Sequence, residues 1–299
     1  MDYRNHNLLI ILILITITLV SFAVFWPDDK VHLIACDVGQ GDGILITKGF
    51  TQILIDGGPN DRVLGCLARN MPFWDRTIEL MIDTHQDKDH IYGLNSVIQR
   101  YSVRRLFINS IAVESKLFAD FHQQVREREI KVYSPAQGEK IKINGIRFTF
   151  LWPEEKQGEL AFWSRPLPEK NSVLGASTYI KEANEISIVT LMEYGNFDAL
   201  LTGDVPADGE RGVVDYCRGQ DCGEPLQVLK VAHHGSKTSS CQEFLDFFQP
   251  EITIISVGQN SWGHPVPEVL ERLESIGSKI LRTDQLGDVK ITTDGKKMY

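Results

Sequence analysis

The apolar run Ile78-Glu79-Leu80-Met81-Ile82 leads directly into Asp83-Thr84 and then into His85-Gln86-Asp87-Lys88-Asp89-His90. A run of this length and chemistry reads as a buried strand, so the fold must bring its end to a rim. Four side chains with metal-binding atoms, His85, Asp87, Asp89 and His90, emerge there within six residues. A solvated turn has no need of two histidines and three aspartates behind a buried strand. Alternate residues of an extended loop point the same way, so His85 and Asp87 can serve one ion while Asp89 and His90 turn toward a second position. Imidazole nitrogen with carboxylate oxygen suits Zn2+ or Mn2+.

Two further strand ends carry the same kind of residue. Thr202-Gly203-Asp204 follows Ala199-Leu200-Leu201, and His233-His234-Gly235-Ser236 follows Val228-Leu229-Lys230-Val231-Ala232. Three such ends converging on one rim are what a dinuclear hydrolase needs, with Asp204 suited to bridge. Strands are expected at 31–36, 43–47, 51–55, 78–83, 104–108, 141–151, 186–192, 198–202, 227–232, 252–257, 279–282 and 288–293. Helices are expected at 61–71, 90–101, 114–127, 238–248 and 265–276. This alternation in both halves fits two sheets packed face to face with helices outside. With 299 residues, 42% of them apolar, the chain can bury such a core. No composition break after residue 30 marks a second unit, so 31–299 reads as one hydrolase domain. The stretch 153–183 is long for a structureless loop and is expected to be a flap over the site or a surface insertion.

From Leu8 to Trp26 the sequence is uncharged, broken only by Thr16, Thr18 and Ser21. At ~1.5 Å per residue this stretch just spans a bilayer core, and Trp26 before Pro27-Asp28-Asp29-Lys30 looks like an interfacial end. Residues 1–30 therefore read as a transmembrane anchor, with a cleaved signal ending near Ser21-Phe22-Ala23 as the alternative. A single-pass membrane location with the main domain outside the cytoplasm is the expectation; secretion follows if the signal is cleaved. Leu33-Ile34-Ala35-Cys36 imitates a lipobox, but charged residues separate it from the apolar core and it reads better as a strand. The five cysteines cannot form a complete disulfide framework. Cys217 and Cys222 can pair in an oxidising compartment or remain loop thiols.

The ordered set Asp37-Val38-Gly39-Gln40-Gly41-Asp42, Ile55-Asp56-Gly57-Gly58, His85-x-Asp87-x-Asp89-His90, Thr202-Gly203-Asp204, His233-His234-Gly235-Ser236 and Gly263-His264-Pro265 resembles the metallo-β-lactamase superfamily. Within it, the set is similar to the hydrolase domain of ComEC-type DNA-uptake proteins, from about residue 31 to the C-terminus. The resemblance implies an αββα sandwich with the metal site at one edge of the two sheets. It implies His85, Asp87, Asp89 and His90 as ligands, Asp204 as a bridging ligand, and a last ligand from the His233/His234 pair. His233 is favoured, with His234 and Ser236 as contacts to substrate or supports of the site. Asp56 would orient the ligand loop from behind, while Gln40, Asp42 and His264 would line the pocket. Asp87 stands where the superfamily usually has a second histidine, which favours Mn2+. The further histidine that many members place before the bridging aspartate has no counterpart. His122, the only one in that interval, falls in an expected helix, so water or Asn184 would complete that position.

One or two divalent ions held there would activate water, lowering its pKa from ~15.7 toward ~7. Asp87 or Asp89 would hold the water, and His264 or His234 would protonate or hydrogen-bond the leaving oxygen. By family analogy the expected activity is that of a membrane-anchored phosphodiesterase, a nuclease on single-stranded DNA. Two other readings are a metallo-hydrolase of a small phosphoester or envelope component, and a non-catalytic binding protein that retains the fold. The net charge of −9 repels polyanions, and no basic-aromatic stripe is evident in the sequence. The sequence carries no signal for an oligomeric state.

Overall fold

The computed structural model describes residues 3–24, 26–109, 115–155, 183–220 and 222–299. After helix α1 (Tyr3–Val24), a first sheet is built from β1 (Val31–Ala35), β2 (Ile44–Lys48), β3 (Thr51–Ile55), β5 (Leu80–Asp83), β7 (Arg105–Ile108), β8 (Lys131–Tyr133) and the C-terminal β16 (Val289–Thr293). Its strand order is β16-β1-β2-β3-β5-β7-β8, and β4 (Thr77–Ile78) pairs apart with β6 (Ser102–Val103). The second sheet has the order β15-β14-β13-β12-β11-β10-β9. Its strands are β9 (Lys140–Ile143), β10 (Ile146–Trp152), β11 (Val189–Tyr194), β12 (Phe197–Leu201), β13 (Val228–Lys230), β14 (Ile252–Ile255) and β15 (Lys279–Arg282).

Period-two burial explains the layering. Along β3, Ile53 and Ile55 face the second sheet while Leu54 faces helices, and along β12 Phe197, Ala199 and Leu201 face inward while Leu200 faces out. The inner layer thus joins Leu33, Ile46 and Ile82 to Phe148, Phe150 and Met192. Helices α2 (Arg62–Asn70), α3 (Lys88–Arg100) and α4 (Lys116–Glu127) cover the first sheet. Helices α5 (Ala207–Cys217), α6 (Gln242–Phe248) and α7 (Pro267–Ser275) cover the second, and α8 (Thr283–Leu286) is a single turn after β15. The expected αββα sandwich is the architecture found.

Three local expectations change. The segment 141–151 is a hairpin, because Asn144 (φ 45°) and Gly145 (φ 85°) supply the left-handed pair that a two-residue turn requires. Helix α5 went unrecognised because its first turns are polar and glycine-bearing. Those glycines make room for Trp152, since a Cβ at Gly212 would meet its ring at 2.5 Å. The 186–192 strand begins only at Val189, after a short helical turn over Ala183–Ile186. Most of the expected 153–183 flap, residues 156–182, lies outside the described residues.

Two disulfides form, Cys217–Cys222 and Cys36–Cys66. The second ties the end of β1 to α2 and takes the lipobox-like Cys36 into the core. Among the described residues no helix is long and apolar enough to cross a membrane. The side chains of α1 are described over 6–22, where nearly all, including Leu12, Leu14 and Leu19, are exposed.

Candidate metal centre

Strands β3, β5, β7 and β8 run parallel, as do β12, β13, β14 and β15, so each sheet presents a row of carboxyl ends at one rim. Crevices outside such ends are where open sheets place ligands. Asp56 leaves β3, His85 leaves β5, Asp204 leaves β12, and His233 and His234 follow β13.

Asp56 has left-handed backbone (φ 58°), uncommon for a residue with a side chain, and is fully buried. Its carboxylate accepts from Thr84 N (2.8 Å), Thr84 Oγ1 (2.7 Å) and His90 Nδ1 (2.8 Å). Because the Thr84 hydroxyl donates to Asp56, its oxygen is left to accept from His85 Nδ1 at 3.1 Å. His233 and His234 are also left-handed (φ 50° and 55°), and this kink sends the His234 ring inward, where Nδ1 donates to Ser256 O at 2.8 Å. Each of the three histidines buried at this rim, 85, 90 and 234, therefore has Nδ1 engaged, and when neutral keeps its lone pair on Nε2. All three Nε2 atoms are buried without a hydrogen-bond partner, as are Asp204 Oδ1 and Asp42 Oδ1.

Two of those orphaned atoms, His90 Nε2 and His234 Nε2, converge with carboxylate oxygens. Asp204 Oδ2 lies 3.3 Å from His90 Nε2 and 3.5 Å from His234 Nε2, and Asp89 Oδ2 lies 3.4 Å from His234 Nε2. Asp89, His90, Asp204 and His234 each offer a ligand atom within 4.8 Å of the others. Buried nitrogen and oxygen atoms without partners are costly unless something binds them, so the residues present fit a divalent cation. A second grouping, Asp42, Asp56 and His90, is a weaker candidate, since the His90–Asp56 hydrogen bond already occupies it. The His85 ring is tilted 50° against that of His90 with ring centres 4.0 Å apart, and its Nε2 is 3.6 Å from Asp87 Oδ2, with Asp87 on the exposed edge.

The structure brings His234 rather than His233 into the four-residue group. His233 stays a quarter exposed, its Nε2 3.8 Å from Asp204 Oδ2, because the kink that buries the next ring leaves this one at the mouth. His264 lies beyond it, with ring centres 5.6 Å apart. Gln40 Oε1 accepts from Gly258 N (3.3 Å), joining two rim loops. The Ser236 hydroxyl is engaged within its own loop by Thr238 (3.0 Å). His122 sits on α4 in the outer layer beside Phe118, and Asn184 keeps a buried, unpartnered Oδ1 one turn before Ser187, whose hydroxyl accepts from Asp204 N at 2.9 Å.

Sequence reading missed Lys230. Its ammonium is buried, pairs with Asp42 Oδ2, donates to Gly203 O (3.0 Å) and lies 3.7 Å from Asp204 Oδ1. Burial alone would push its pKa down, but Asp42 and Asp204 outweigh it and hold the pKa above the ordinary lysine value. A lysine inside an apolar strand run was the available signal. Burial likewise opposes ionisation of Asp204, yet His234, His90 and Lys230 hold its carboxyl well below the usual range. Burial also opposes the charge on His90 and His234, and the facing carboxylates, Asp204 foremost, override it and raise both.

The sandwich superposes on YhfI of Bacillus subtilis, a metallo-β-lactamase fold protein, with a TM-score of 0.56 at 10% identity, covering 88% of this chain and all of that one. The chain carries the metallo-β-lactamase fold. No protein-family model matches it. This metallo-β-lactamase-fold chain is 31% identical over 279 residues to ComE operon protein 3 of Bacillus subtilis, across 85% of its own length and 32% of the relative. It is 26% identical over 266 residues to competence protein ComA of Neisseria gonorrhoeae, across 87% of itself and 32% of that protein. The chain thus spans about a third of the length of these curated relatives. Fold, relatives and the cluster of unpartnered ligand atoms together support a metal-dependent hydrolase.

Proposed function

We propose that this chain is a membrane-held phosphodiesterase that cleaves single-stranded DNA with one tightly bound divalent ion. The observation that carries the hydrolase reading is the convergence of Asp89, His90, Asp204 and His234, with three buried Nε2 atoms left bare at the rim. A bound Zn2+ or Mn2+ would supply water activation and stabilise charge on the phosphoryl oxygens. Asp87, exposed beside His85, accepts a proton from the attacking water. His264, half-buried beside His233 with an unpartnered Nδ1, hydrogen-bonds the leaving oxygen. Lys230 keeps a fixed positive charge against Asp42 and Asp204, where a second cation would be repelled, which favours one ion over two.

The DNA assignment rests on the competence-protein relatives. The membrane assignment rests on α1 and on what surrounds its end. Phe22 stacks on Trp74 (4.4 Å) and meets Phe73 edge-on (6.4 Å), and Trp26 meets Phe50 edge-on (5.3 Å). Trp26, Phe50 and Phe73 are all exposed, the composition of a headgroup-level aromatic belt. The full chain with Mn2+ or Zn2+ should cleave single-stranded DNA, and His85→Ala and Asp204→Ala should both abolish cleavage. Hydrolysis of a chromogenic phosphodiester alone would move the substrate to a small ester. Inactivity on both with no bound metal would leave a binding protein.

A further inference from the structure

Trp262 is the large side chain at the rim that neither the core nor the ligand cluster uses. It is 66% exposed, although an indole is among the most rewarding groups to bury. Its loop is nevertheless tightly organised. Asn260 Oδ1 accepts from Trp262 N (3.1 Å) and His264 N (3.0 Å), while Asn260 Nδ2 donates to Gly258 O (2.9 Å) and His264 O (2.8 Å). Gly258 lies against Gly39 and Gln40 so closely that a Cβ there would meet Gly39 C at 2.4 Å. The loop presenting the indole is thereby fixed to the loop that carries Asp42.

The indole lies 28° from the plane of the His264 ring with centroids 6.3 Å apart, and His264 is 5.6 Å from His233. Two ring-to-ring steps therefore lead from an open aromatic face to Asp204. Lys237, the residue after Ser236, is exposed.

We propose that the Trp262 indole is a stacking platform for a nucleobase, seating the nucleotide next to the phosphodiester that enters the ligand cluster. The inference rests on the phosphodiesterase reading above and names the part of the substrate that a small ester would lack. Stacking on an indole is tolerant of base identity and contributes affinity that does not come from charge, so it can act locally on an acidic protein.

The test uses the full chain with Mn2+, a thymidine decamer and an abasic deoxyribose-phosphate decamer. The decamer should quench tryptophan fluorescence and the abasic chain should not. Trp262→Phe should lose the quench yet bind the decamer within about threefold, since a phenyl ring still stacks. Trp262→Ala should weaken decamer binding by on the order of tenfold or more and bring the decamer-to-abasic kcat/KM ratio toward one. An unchanged ratio in Trp262→Ala, with cleavage persisting, overturns the platform and leaves the nuclease reading intact. If the decamer is neither bound nor cleaved while a small ester is hydrolysed, both readings fall.

Discussion

The buried lysine at the centre of the site changes how its charges are balanced. Asp42 and Asp204, both buried, would lose the cation that lies between them without Lys230. Lys230→Met should cost about 3–5 kcal/mol, the usual penalty for orphaning a buried charge partner, read as a lower urea midpoint. Added Mn2+ should restore part of it, and an unshifted midpoint would refute the assignment. The two neighbouring histidines should also separate. His234→Ala should weaken Mn2+ binding by more than about 100-fold, since it removes a ligand rather than a support. His233→Ala should weaken it by less than about tenfold, and isothermal titration distinguishes the two; the reverse order would reinstate His233.

His90 and His234 also set a pH signature. Both have folded pKa values raised above 6.5 in the metal-free chain, so the stability they contribute is complete below that value and is lost as pH rises through the folded values. Metal binding needs the neutral rings, so Mn2+ uptake at pH 7 should release protons and weaken on acidification. Titrations in buffers of different ionisation enthalpy read that release, and its absence would mean these rings are not ligands.

At the scale of elements, the site depends on how α3 is held. Gly57 N donates to His90 O (2.7 Å), Gly93 N to Gly58 O (3.0 Å) and Asp42 N to Asp89 O (3.2 Å), so two loops grip the helix that carries two candidate ligands, Asp89 and His90. A Cβ at Gly93 would meet Gly57 O at 1.9 Å, a clash of backbone against backbone. Gly93→Ala should displace α3, lower the melting temperature and reduce metal content, as differential scanning calorimetry and metal analysis will read. The Cys36–Cys66 bond closes a loop of separation 30 between β1 and α2. Replacing Cys66 with Ala should cost about 3–4 kcal/mol by loop-closure entropy, against no change if the thiols are reduced in the native protein.

Considered whole, the molecule has two ends. The ligand rim lies past the carboxyl end of β3, and α1 with Trp26, Phe50, Phe73 and Trp74 clusters where the chain enters the sandwich. If α1 inserts, full chain should float with phospholipid vesicles, and Leu12→Lys combined with Ile15→Lys should abolish flotation. Flotation that survives those charges would relocate the contact to another face.

The sequence by itself determined the layers and the ligand loops, because strand burial repeats every second residue and ligand-type side chains concentrate where apolar runs stop. His85 through His90, Asp204 and the His233/His234 pair were legible in that way. Tertiary structure alone decided which ring of the pair turns inward, since two left-handed residues and the Ser256 carbonyl are not visible in a string of letters. It alone put Lys230 into the site, because a lysine in a strand reads as an edge until the neighbouring strand brings Asp204 and the opposite sheet brings Asp42 to it. It alone paired Cys36 with Cys66, whose approach depends on how α2 packs on the first sheet. Local chemistry fixes what a residue can do; the meeting of distant strand ends fixes which residues do it together.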